Sequence, residues 1–241
     1  MTKKQRLDLA MVERSLAESR EKARALILAG EVRVDGQREP RAGAAVRPDA
    51  TIEVAKPARF VSRGGEKLDH ALTAFGLDVG GRVALDVGAS TGGFTDCLLQ
   101  RGAARVYAVD VGYGQLHQRL RDDPRVISME RTNIRELQSL PEQPSIATVD
   151  ASFISLTNVL PRASELVGAG GDIVPLVKPQ FEAGRAEVGR DGVVRDPLVR
   201  ATVIGRVAWW CVQQRLRVRG VALSPLAGPA GNREFFLWLR K

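Results

Sequence analysis

The stretch 82–96, RVALDVGASTGGFTD, constrains the fold more than any other part of the chain. Residues 83–87 form a mostly apolar run of strand length, and the turn that follows contains Gly88, Gly92 and Gly93, which let backbone approach a ligand where a side chain would clash. A helical segment comes next. A glycine turn between a parallel strand and a helix is a usual place for a nucleotide-like cofactor to bind.

The spacing of this turn excludes two common nucleotide sites. A phosphate-binding P-loop needs a lysine after its last glycine, and no lysine follows Gly92 or Gly93. The dinucleotide fingerprint G-x-G-x-x-G also fails, because Ser90 stands where the second glycine is required. The turn is therefore expected to hold a cofactor without the help of a phosphate-binding lysine.

Two acidic residues accompany the turn, Asp86 at the end of its strand and Asp110 at the end of the next apolar run, 106–109. An acid such as Asp110 can hold the two hydroxyls of a ribose, and carboxylates favour a positively charged ligand. S-adenosylmethionine, with its ribose and its sulfonium and ammonium groups, fits this description. The alternative is an ordinary strand, turn and helix in which Asp86 caps the glycine-rich backbone.

Composition and charge limit the class of protein. A chain of 241 residues, 44% of them hydrophobic, is long enough for one large domain or for a medium and a small one. The net charge of +8 favours a polyanionic partner, although a basic surface also serves solubility. The sequence shows no apolar segment typical of a signal peptide or a membrane helix, so we expect a cytoplasmic protein without a membrane partner.

Neither a metal site nor a disulfide is expected. Cys97 and Cys211 show no metal-ligand spacing, and we interpret them as reduced thiols in the core. His70 and His117 are too isolated to predict a metal site, so surface or packing roles are the default for both.

Residues 1–57 show a compact pattern of their own. Leu7 and Met11 mark a first helical segment, and Ser19 is the expected N-cap of a second helix that ends at Gly30. An Asp-Gly turn at 35–36 and short runs near 32–34 and 51–54 predict a small sheet. The basic side chains of this segment form either a solvated helix face or a surface that contacts the phosphates of folded RNA. The candidate RNA-binding residues, including one from the following junction, are Lys3, Lys4, Arg6, Arg14, Arg20, Arg24 and Arg63.

Three runs in this segment carry a family resemblance: RLDLAMVER at 6–14, SREKARALILAG at 19–30 and VRVDG at 32–36. They resemble the small S-four-type RNA-binding domain of ribosomal proteins and RNA-modifying enzymes. The resemblance covers nearly all of residues 5–54 and implies docking onto structured RNA by shape and backbone. We therefore expect an RNA-binding domain at 1–57, an interdomain linker at 58–63 and a second domain at 64–241.

The rest of the chain alternates helices and strands. A helix is expected from Ser62 to about Phe75, ended by Gly76, with Lys67 near its start. Further strands are expected at 105–110, 125–129, 145–150, 172–178, 217–223 and 234–239, and further helices near 94–101, 115–121, 156–168 and 197–214. This order predicts an α/β doubly wound sheet whose last two strands form a hairpin pair. Residues 182–197, rich in glycine and charge, predict a loop long enough to cover a site.

Three strand ends carry ionisable residues. Asp150 and Lys178 close two apolar runs, and Glu234 begins the final strand. If that strand is antiparallel, all three residues and Lys67 lie at one edge of the sheet. Taken singly, such residues often cap a helix, extend along the surface or form a surface ion pair. Together they suit methyl transfer to a ribose hydroxyl, because a lysine beside a second cation can act as a base.

Five motifs in chain order carry a second resemblance: SRGGEKL at 62–68, LDVGASTGGFTD at 85–96, VDASFI at 149–154, VKPQFE at 177–182 and GNREF at 231–235. Together they resemble the haemolysin-A-type (TlyA) rRNA methyltransferases of the FtsJ-like group. The resemblance implies a Rossmann-like methyltransferase sheet and 2′-O-methylation of a cytidine in ribosomal RNA, with S-adenosylmethionine as the methyl donor. The implied catalytic tetrad is Lys67, Asp150, Lys178 and Glu234. The implied cofactor-binding residues are Asp86, Gly88, Ala89, Ser90, Thr91, Gly92, Gly93, Phe94, Asp110, Val111, Thr132 and Asn133.

Within the tetrad, we expect Lys178 to receive the hydroxyl proton and Asp150 to position Lys178 and the methyl donor. Lys67 and Glu234 are expected to tune and orient these reacting groups. Two other classes of function stay open. One is a non-catalytic RNA-binding factor that keeps the fold as a scaffold, and the other is a pore-forming haemolysin, which the lack of an apolar amphipathic segment disfavours. The linker departs from the Arg-x-Trp-Val sequence of some relatives, since Phe60 stands at the aromatic position and Arg59 is displaced by one residue.

Overall fold

The computed structural model describes residues 4–55 and 58–241. The chain divides into two compact units, Met1–Ala58 and Arg59–Lys241, and each unit has its own hydrophobic core. Lys3, one of the candidate RNA-binding residues, lies outside the described residues.

Within residues 4–55, the first unit has two helices and five short strands. Its elements are β1 Gln5–Arg6, α1 Leu7–Glu13, α2 Arg20–Ala29, β2 Val32–Val34, β3 Gln37–Arg38, β4 Ala45–Val46 and β5 Ile52–Val54. β2 lies between β3 and β5 in an antiparallel sheet, and β1 pairs with β4. As the sequence predicts, Ser19 Oγ accepts a hydrogen bond from the Lys22 backbone N–H at the start of α2, and Gly30 ends the helix with a left-handed φ of +76°.

The second unit is built on a seven-stranded sheet in the order β11-β12-β10-β9-β6-β7-β8. Its strands are β6 Val83–Val87, β7 Arg105–Val109, β8 Val126–Met129, β9 Ile146–Val149, β10 Asp172–Val177, β11 Arg217–Leu223 and β12 Phe235–Arg240. Strands β6 to β10 are parallel, whereas β12 runs antiparallel to both of its neighbours, β10 and β11. The start of β12 therefore lies at the same edge as the carboxyl ends of the parallel strands.

Helices cover both faces of this sheet. They are α3 Arg63–Phe75, α4 Gly93–Gln100, α5 Gln118–Arg121, α6 Leu160–Leu166, α7 Pro179–Glu182 and α8 Pro197–Gln213. In β6, Ala84 belongs to a core cluster with residues of α3 and α4, and Leu85 belongs to a second cluster with residues of α6 and α8. Because successive strand residues point to opposite faces, the sheet is buried on both sides. The expected α/β fold class, with an antiparallel strand near the end of the chain, is confirmed.

Several element boundaries differ from the expectation, most of them by one residue. The helix expected at 156–168 is a single 3₁₀ turn, Leu156–Asn158, followed by α6, because Pro161 lacks an N–H and suits the first turn of a new helix. α5 is shorter than expected and begins after His117, whose Nδ1 accepts a hydrogen bond from the Arg119 backbone N–H. β12 begins one residue later than expected, which leaves Glu234 just before the strand.

The two cysteines lie in the core of the second unit. Cys97 and Cys211 are buried thiols without a disulfide, and burial raises the pKa of each to about 12. Their expected placement in the core is confirmed. In the described ranges, no helix has both the length and the apolarity needed to cross a bilayer, and no cluster of three or more His, Cys, Asp or Glu side chains is arranged to bind a metal.

Candidate active site

Two cavities open at the edge of the sheet where the parallel strands end. The first cavity, of about 430 Å³, lies between the start of α3 and the turn after β6. The second cavity, of about 530 Å³, lies between the ends of β6, β7 and β9. Gly88, Ser90 and Asp150 line both cavities. The glycine turn therefore separates two adjacent cavities, and ligands bound in them would meet beside Asp150.

At two glycines of the turn between β6 and α4, neighbouring atoms lie too close to leave room for a side chain. Gly88 has a φ of +82°, and a Cβ there would lie 2.6 Å from the carbonyl oxygen of Asp150. A Cβ at Gly93 would lie 2.2 Å from Ser62 Oγ, so this glycine lets the residue before α3 reach the turn. Gly92 packs against α5 and lines neither cavity. The predicted turn residues that line the first cavity are Gly88, Ala89, Ser90, Thr91, Gly93 and Phe94.

The second cavity has the chemistry of a nucleoside site. Asp110, which follows β7, accepts hydrogen bonds from the backbone N–H groups of Ser90 and Gly112, each at 2.7 Å. Each carboxylate oxygen keeps a second lone pair, which can accept a hydroxyl of a bound ribose. The other predicted residues in this cavity are Val111, Thr132 and Asn133. The donor and acceptor set therefore fits a ribose with an adjoining base.

Asp86 is a predicted cofactor residue that the structure places away from both cavities. Its side chain is fully buried below the turn and lines neither of them. Thr95 and Thr148 donate hydrogen bonds to its carboxyl oxygens, at 2.6 and 3.1 Å, and so join β6 to α4 and β9. Burial raises the pKa of Asp86 to about 7, although the two hydroxyl bonds oppose this rise. In this structure Asp86 supports the turn from within the core.

One pair of opposite charges joins α3 to the start of β12. Lys67 Nζ lies 2.5 Å from Glu234 Oε2. Lys67 is 8% exposed and Glu234 is 1% exposed, and Lys67 lines the first cavity. Gly228 makes room for the carboxylate, because a Cβ there would lie 2.5 Å from Glu234 Oε1. The two side chains form a buried ion pair at the wall of a cavity.

A second pair of opposite charges joins the loops that follow β9 and β10. Lys178 Nζ lies 2.7 Å from Asp150 Oδ1 and donates a hydrogen bond of 2.7 Å to Ser152 Oγ. The Phe181 ring lies 5.9 Å from the same ammonium group. The lysine side chain is thus held from three sides. Ser152 is not among the predicted site residues, because a serine in a loop carries no signal in its spacing.

The four residues of the expected tetrad lie at one edge of the sheet as these two ion pairs. Lys67 and Asp150, one from each pair, line the first cavity, and Asp150 also lines the second. Glu234 reaches this edge because β12 is antiparallel to β10. A ligand in the first cavity would meet an ammonium group from one pair and a carboxylate from the other.

Three of the candidate RNA-binding arginines have contacts within the first unit. Arg6 and Arg20 each donate to the buried carboxylate of Asp8 at 2.9 Å, and the hydrogen bond from Arg6 is the main cause that holds the pKa of Asp8 well below its usual range. Arg14 donates to backbone carbonyls of the segment before β5. These guanidinium groups help to hold the unit together, so their charge is partly neutralised within the protein.

The other candidate cations are more open to a partner. Lys4 and Arg24 are exposed, and no side-chain hydrogen bond or ion pair involves them within the part of the chain that the structure describes. Arg63, in the second unit, is also exposed, and it lines the first cavity while it donates a hydrogen bond to the Ala227 carbonyl. Among the candidate residues of the first unit that the structure describes, Lys4 and Arg24 are therefore the most open to a contact with RNA.

The loop at 182–197 is attached to the site through a residue that the sequence analysis did not single out. Asn232 is 2% exposed, accepts a hydrogen bond from the Val194 backbone N–H at 2.9 Å and donates one to the Gly192 carbonyl at 2.8 Å. Asn232 lies two residues before Glu234 in the chain. It therefore fixes the end of the loop beside the segment that delivers a tetrad residue.

Both units match known families. Residues 60–241 match the model of the FtsJ-like methyltransferases, and residues 5–52 match the model of the S4 domain. The chain belongs to the FtsJ-like methyltransferase family. The family membership expected from the five sequence motifs is thereby confirmed, as is the resemblance of the first unit to the S4 domain.

Relatives of this FtsJ-like methyltransferase match it over nearly its whole length. It is 48% identical to the 16S/23S rRNA (cytidine-2′-O)-methyltransferase TlyA of Mycobacterium tuberculosis, over 100% of this chain and 91% of that protein. It is 39% identical to hemolysin A of Brachyspira hyodysenteriae, over 95% of this chain and 97% of that protein. A solved structure from Streptococcus thermophilus, described as a candidate hemolysin, is 41% identical with a TM-score of 0.77, over 100% of this chain and 90% of that chain.

Proposed function

We propose that the protein transfers a methyl group from S-adenosylmethionine to the 2′-hydroxyl of a cytidine in ribosomal RNA. The observation that carries the proposal is the position of Asp150, which lines two cavities, one suited to a nucleoside and one open to a second ligand, and lies 2.7 Å from Lys178 Nζ. The name of the Mycobacterium tuberculosis relative, a 16S/23S rRNA (cytidine-2′-O)-methyltransferase, supports the substrate and the reaction.

In this proposal the adenosine part of the cofactor occupies the second cavity. Asp110 would hold its ribose hydroxyls, and Thr132 and Asn133, which line the same cavity, would lie beside its base. Asp150, at the boundary of the two cavities, meets the positive charge of the ligand. When bound, the cofactor supplies a methyl group on a sulfonium, which makes that methyl group electrophilic.

The target ribose enters from the first cavity, and Lys178 acts on its 2′-hydroxyl. Lys178 Nζ would take the proton that this hydroxyl loses when its oxygen accepts the methyl group. Asp150, 2.7 Å from Nζ, orients the amine and balances the positive charge that the amine gains. Lys67 is a second cation beside the same cavity, where Glu234 holds its ammonium group in place.

Ribosomal RNA is the proposed partner, with residues 1–57 as its docking domain, 58–63 as the linker and 64–241 as the catalytic domain. The match of residues 5–52 to the S4 domain and the net charge of +8 support this assignment. Lys4 and Arg24 would contact phosphates from the first unit, and Arg63 would do so beside the first cavity. A protein that modifies ribosomal RNA works where that RNA is, so the cytoplasm is its proposed location.

A methyl-transfer assay tests the proposal. The protein is incubated with labelled S-adenosylmethionine and with each ribosomal subunit and precursor RNA separately, and we expect label on a cytidine 2′-oxygen. Lys178→Ala should bind the cofactor as the wild type does in calorimetry, and it should lose methyl transfer by about 100-fold or more. Lys241→Ala is the matched control, because Lys241 binds backbone carbonyls at the opposite edge of the sheet.

Each other outcome has a distinct meaning. Undiminished transfer by Lys178→Ala would remove Lys178 from the mechanism. No label in any RNA, with RNA binding intact, would indicate a scaffold that keeps the fold without the reaction. Leakage of dye-filled liposomes on addition of the protein would instead indicate the membrane activity that the name of the hemolysin A relative suggests.

A further inference from the structure

The loops that carry Lys178 and Asp150 are also joined at a point away from the lysine. Glu182, the last residue of α7, accepts a hydrogen bond from Ser155 Oγ and another from the Leu156 backbone N–H, each at 2.7 Å. One carboxylate oxygen serves each donor, so the contact is bidentate and directional. The sequence motif at 177–182 contains this glutamate, and the proposed reaction gives it no role.

Both donors lie at the end of the loop that begins with Asp150. Ser155 is the N-cap of the 3₁₀ turn Leu156–Asn158, so Glu182 binds the start of that turn. The other end of the loop is fixed by the sheet, because the Asp150 backbone N–H donates to the Val87 carbonyl at 2.9 Å. The position of the loop between these points therefore depends on the contact with Glu182.

Glu182 is also coupled to Lys178 through the short helix between them. α7 contains only Pro179–Glu182, and the Phe181 backbone N–H donates to the Lys178 carbonyl at 2.9 Å. The Phe181 ring in turn lies 5.1 Å from the ring of Phe153 in the other loop. A displacement of Glu182 is therefore transmitted to Lys178 within a single helical turn.

The surroundings of Glu182 indicate a structural contact and not a ligand site. The side chain is half-buried and lines neither cavity. Burial raises the pKa of Glu182, while the hydrogen bonds from Leu156 and Ser155 and the charge of Arg206 in α8 oppose the rise. The carboxylate has both oxygens satisfied within the protein, so it has no need of substrate or cofactor.

We propose that Glu182 is a positioning residue, which holds the loops after β9 and β10 together and thereby holds Lys178 Nζ against Asp150 and Ser152. This inference rests on the proposed role of Lys178 as the proton acceptor. Without Glu182 the two loops keep only the contacts that Lys178 and Phe181 make, so the amine is held less firmly beside the hydroxyl that it deprotonates. A misplacement of a reacting group by about 1 Å can cost about 100-fold in rate.

Single-turnover methyl transfer by three variants tests the inference. Glu182→Ala removes both acceptors, and the rate should fall about 10- to 100-fold with unchanged affinity for RNA. Glu182→Gln can still accept from the Leu156 N–H and can donate to Ser155 Oγ, so its rate should lie within about threefold of the wild type. Glu165→Ala removes an exposed acid from α6 and should react at the wild-type rate.

The pH dependence of the rate separates positioning from a general loss of structure. In Glu182→Ala the inflection that belongs to the amine should move, because Lys178 no longer has a fixed contact with Asp150, the acid that faces it. In Glu182→Gln the inflection should stay in place. An equal fall in rate at every pH, with an unmoved inflection, would show a merely structural role and overturn the inference, as would a wild-type rate in Glu182→Ala.

Hydrogen exchange gives a readout that does not depend on the reaction. Amides of the 150–156 loop should exchange faster in Glu182→Ala than in the wild type or in Glu165→Ala, because the loop has lost an anchor. Unchanged hydrogen exchange of these amides would refute the positioning role of Glu182, even if the rate of methyl transfer fell. If the wild type itself transfers no methyl group to any RNA, the proposed function fails, and the exchange experiment still decides whether Glu182 holds the loops.

Discussion

Removal of Glu234 alone should destabilise the second unit, whereas removal of the whole ion pair should not. Glu234→Leu leaves the ammonium group of Lys67, which is 8% exposed, without the carboxylate that lies 2.5 Å away. One-sided removal of a buried ion pair typically costs about 3–5 kcal/mol. Because Lys67 lines a cavity that water can enter, we expect the lower end of that range, about 3 kcal/mol.

The double variant isolates the cause of this loss. Lys67→Met combined with Glu234→Leu replaces the pair by apolar side chains of similar volume, and its free energy of unfolding should lie within about 1–2 kcal/mol of the wild type. For a unit of this size, a loss of about 3 kcal/mol corresponds to a fall in Tm of roughly 6–12 °C. Both variants should lose methyl transfer, so stability and activity are separated in the double variant.

Urea unfolding followed by tryptophan fluorescence measures these free energies. All three tryptophans, at 209, 210 and 238, lie in the second unit, so the signal reports on that unit. Glu165→Ala breaks an exposed ion pair and should cost less than about 1 kcal/mol, which makes it the control. If Glu234→Leu is as stable as the wild type, the conclusion that the ion pair between Lys67 and Glu234 is buried is wrong. A double variant as unstable as the single one would refute the uncompensated ammonium as the cause.

Other perturbations address the turn, the loop and the second cavity. The folded pKa of Asp86, about 7, exceeds the unfolded value, so ionisation opposes folding. Raising the pH from 5 to 7 should therefore lower wild-type stability relative to Asp86→Asn, by up to about 1.4 kcal/mol per pH unit in urea unfolding. Asn232→Ala should cost about 2–4 kcal/mol in the same measurement, because two backbone groups lose their partner. Asp110→Asn should weaken cofactor binding about 10- to 100-fold in calorimetry.

Element ends can be predicted from sequence where one residue decides them. Gly30 and Gly76 adopt φ values of +76° and +63° and end α2 and α3, as expected from their position after an amphipathic run. The ends of β9 and β10 can also be predicted from the sequence, because their apolar runs stop at Asp150 and Lys178. These helix and strand ends depend on local backbone and burial preferences, so a few neighbouring residues are enough to predict them.

Contacts between loops cannot be predicted in this way. Ser152 and Lys178 are 26 residues apart, and Asn232 and Val194 are 38 apart, so only the strand order decides which loop meets which. The tetrad is likewise visible as four residues at one edge, but its division into two ion pairs requires the order of the sheet. Asp86 shows that a position at a strand end does not decide where a side chain points. Its place in the sequence suggests access to a ligand, whereas its side chain is buried in the core.

The antiparallel strand has a consequence for the order in which the protein becomes active during synthesis. β12 is the last strand in chain order, yet it lies inside the sheet, between β11 and β10. A growing chain therefore contains Lys67, Asp150 and Lys178 well before the segment with Glu234 emerges. Until β12 is inserted, β10 has an unpaired edge and Lys67 lacks its carboxylate. Methyl transfer should thus begin only when the final strand is in place, and a chain that stops before residue 234 should be inactive and not merely slow.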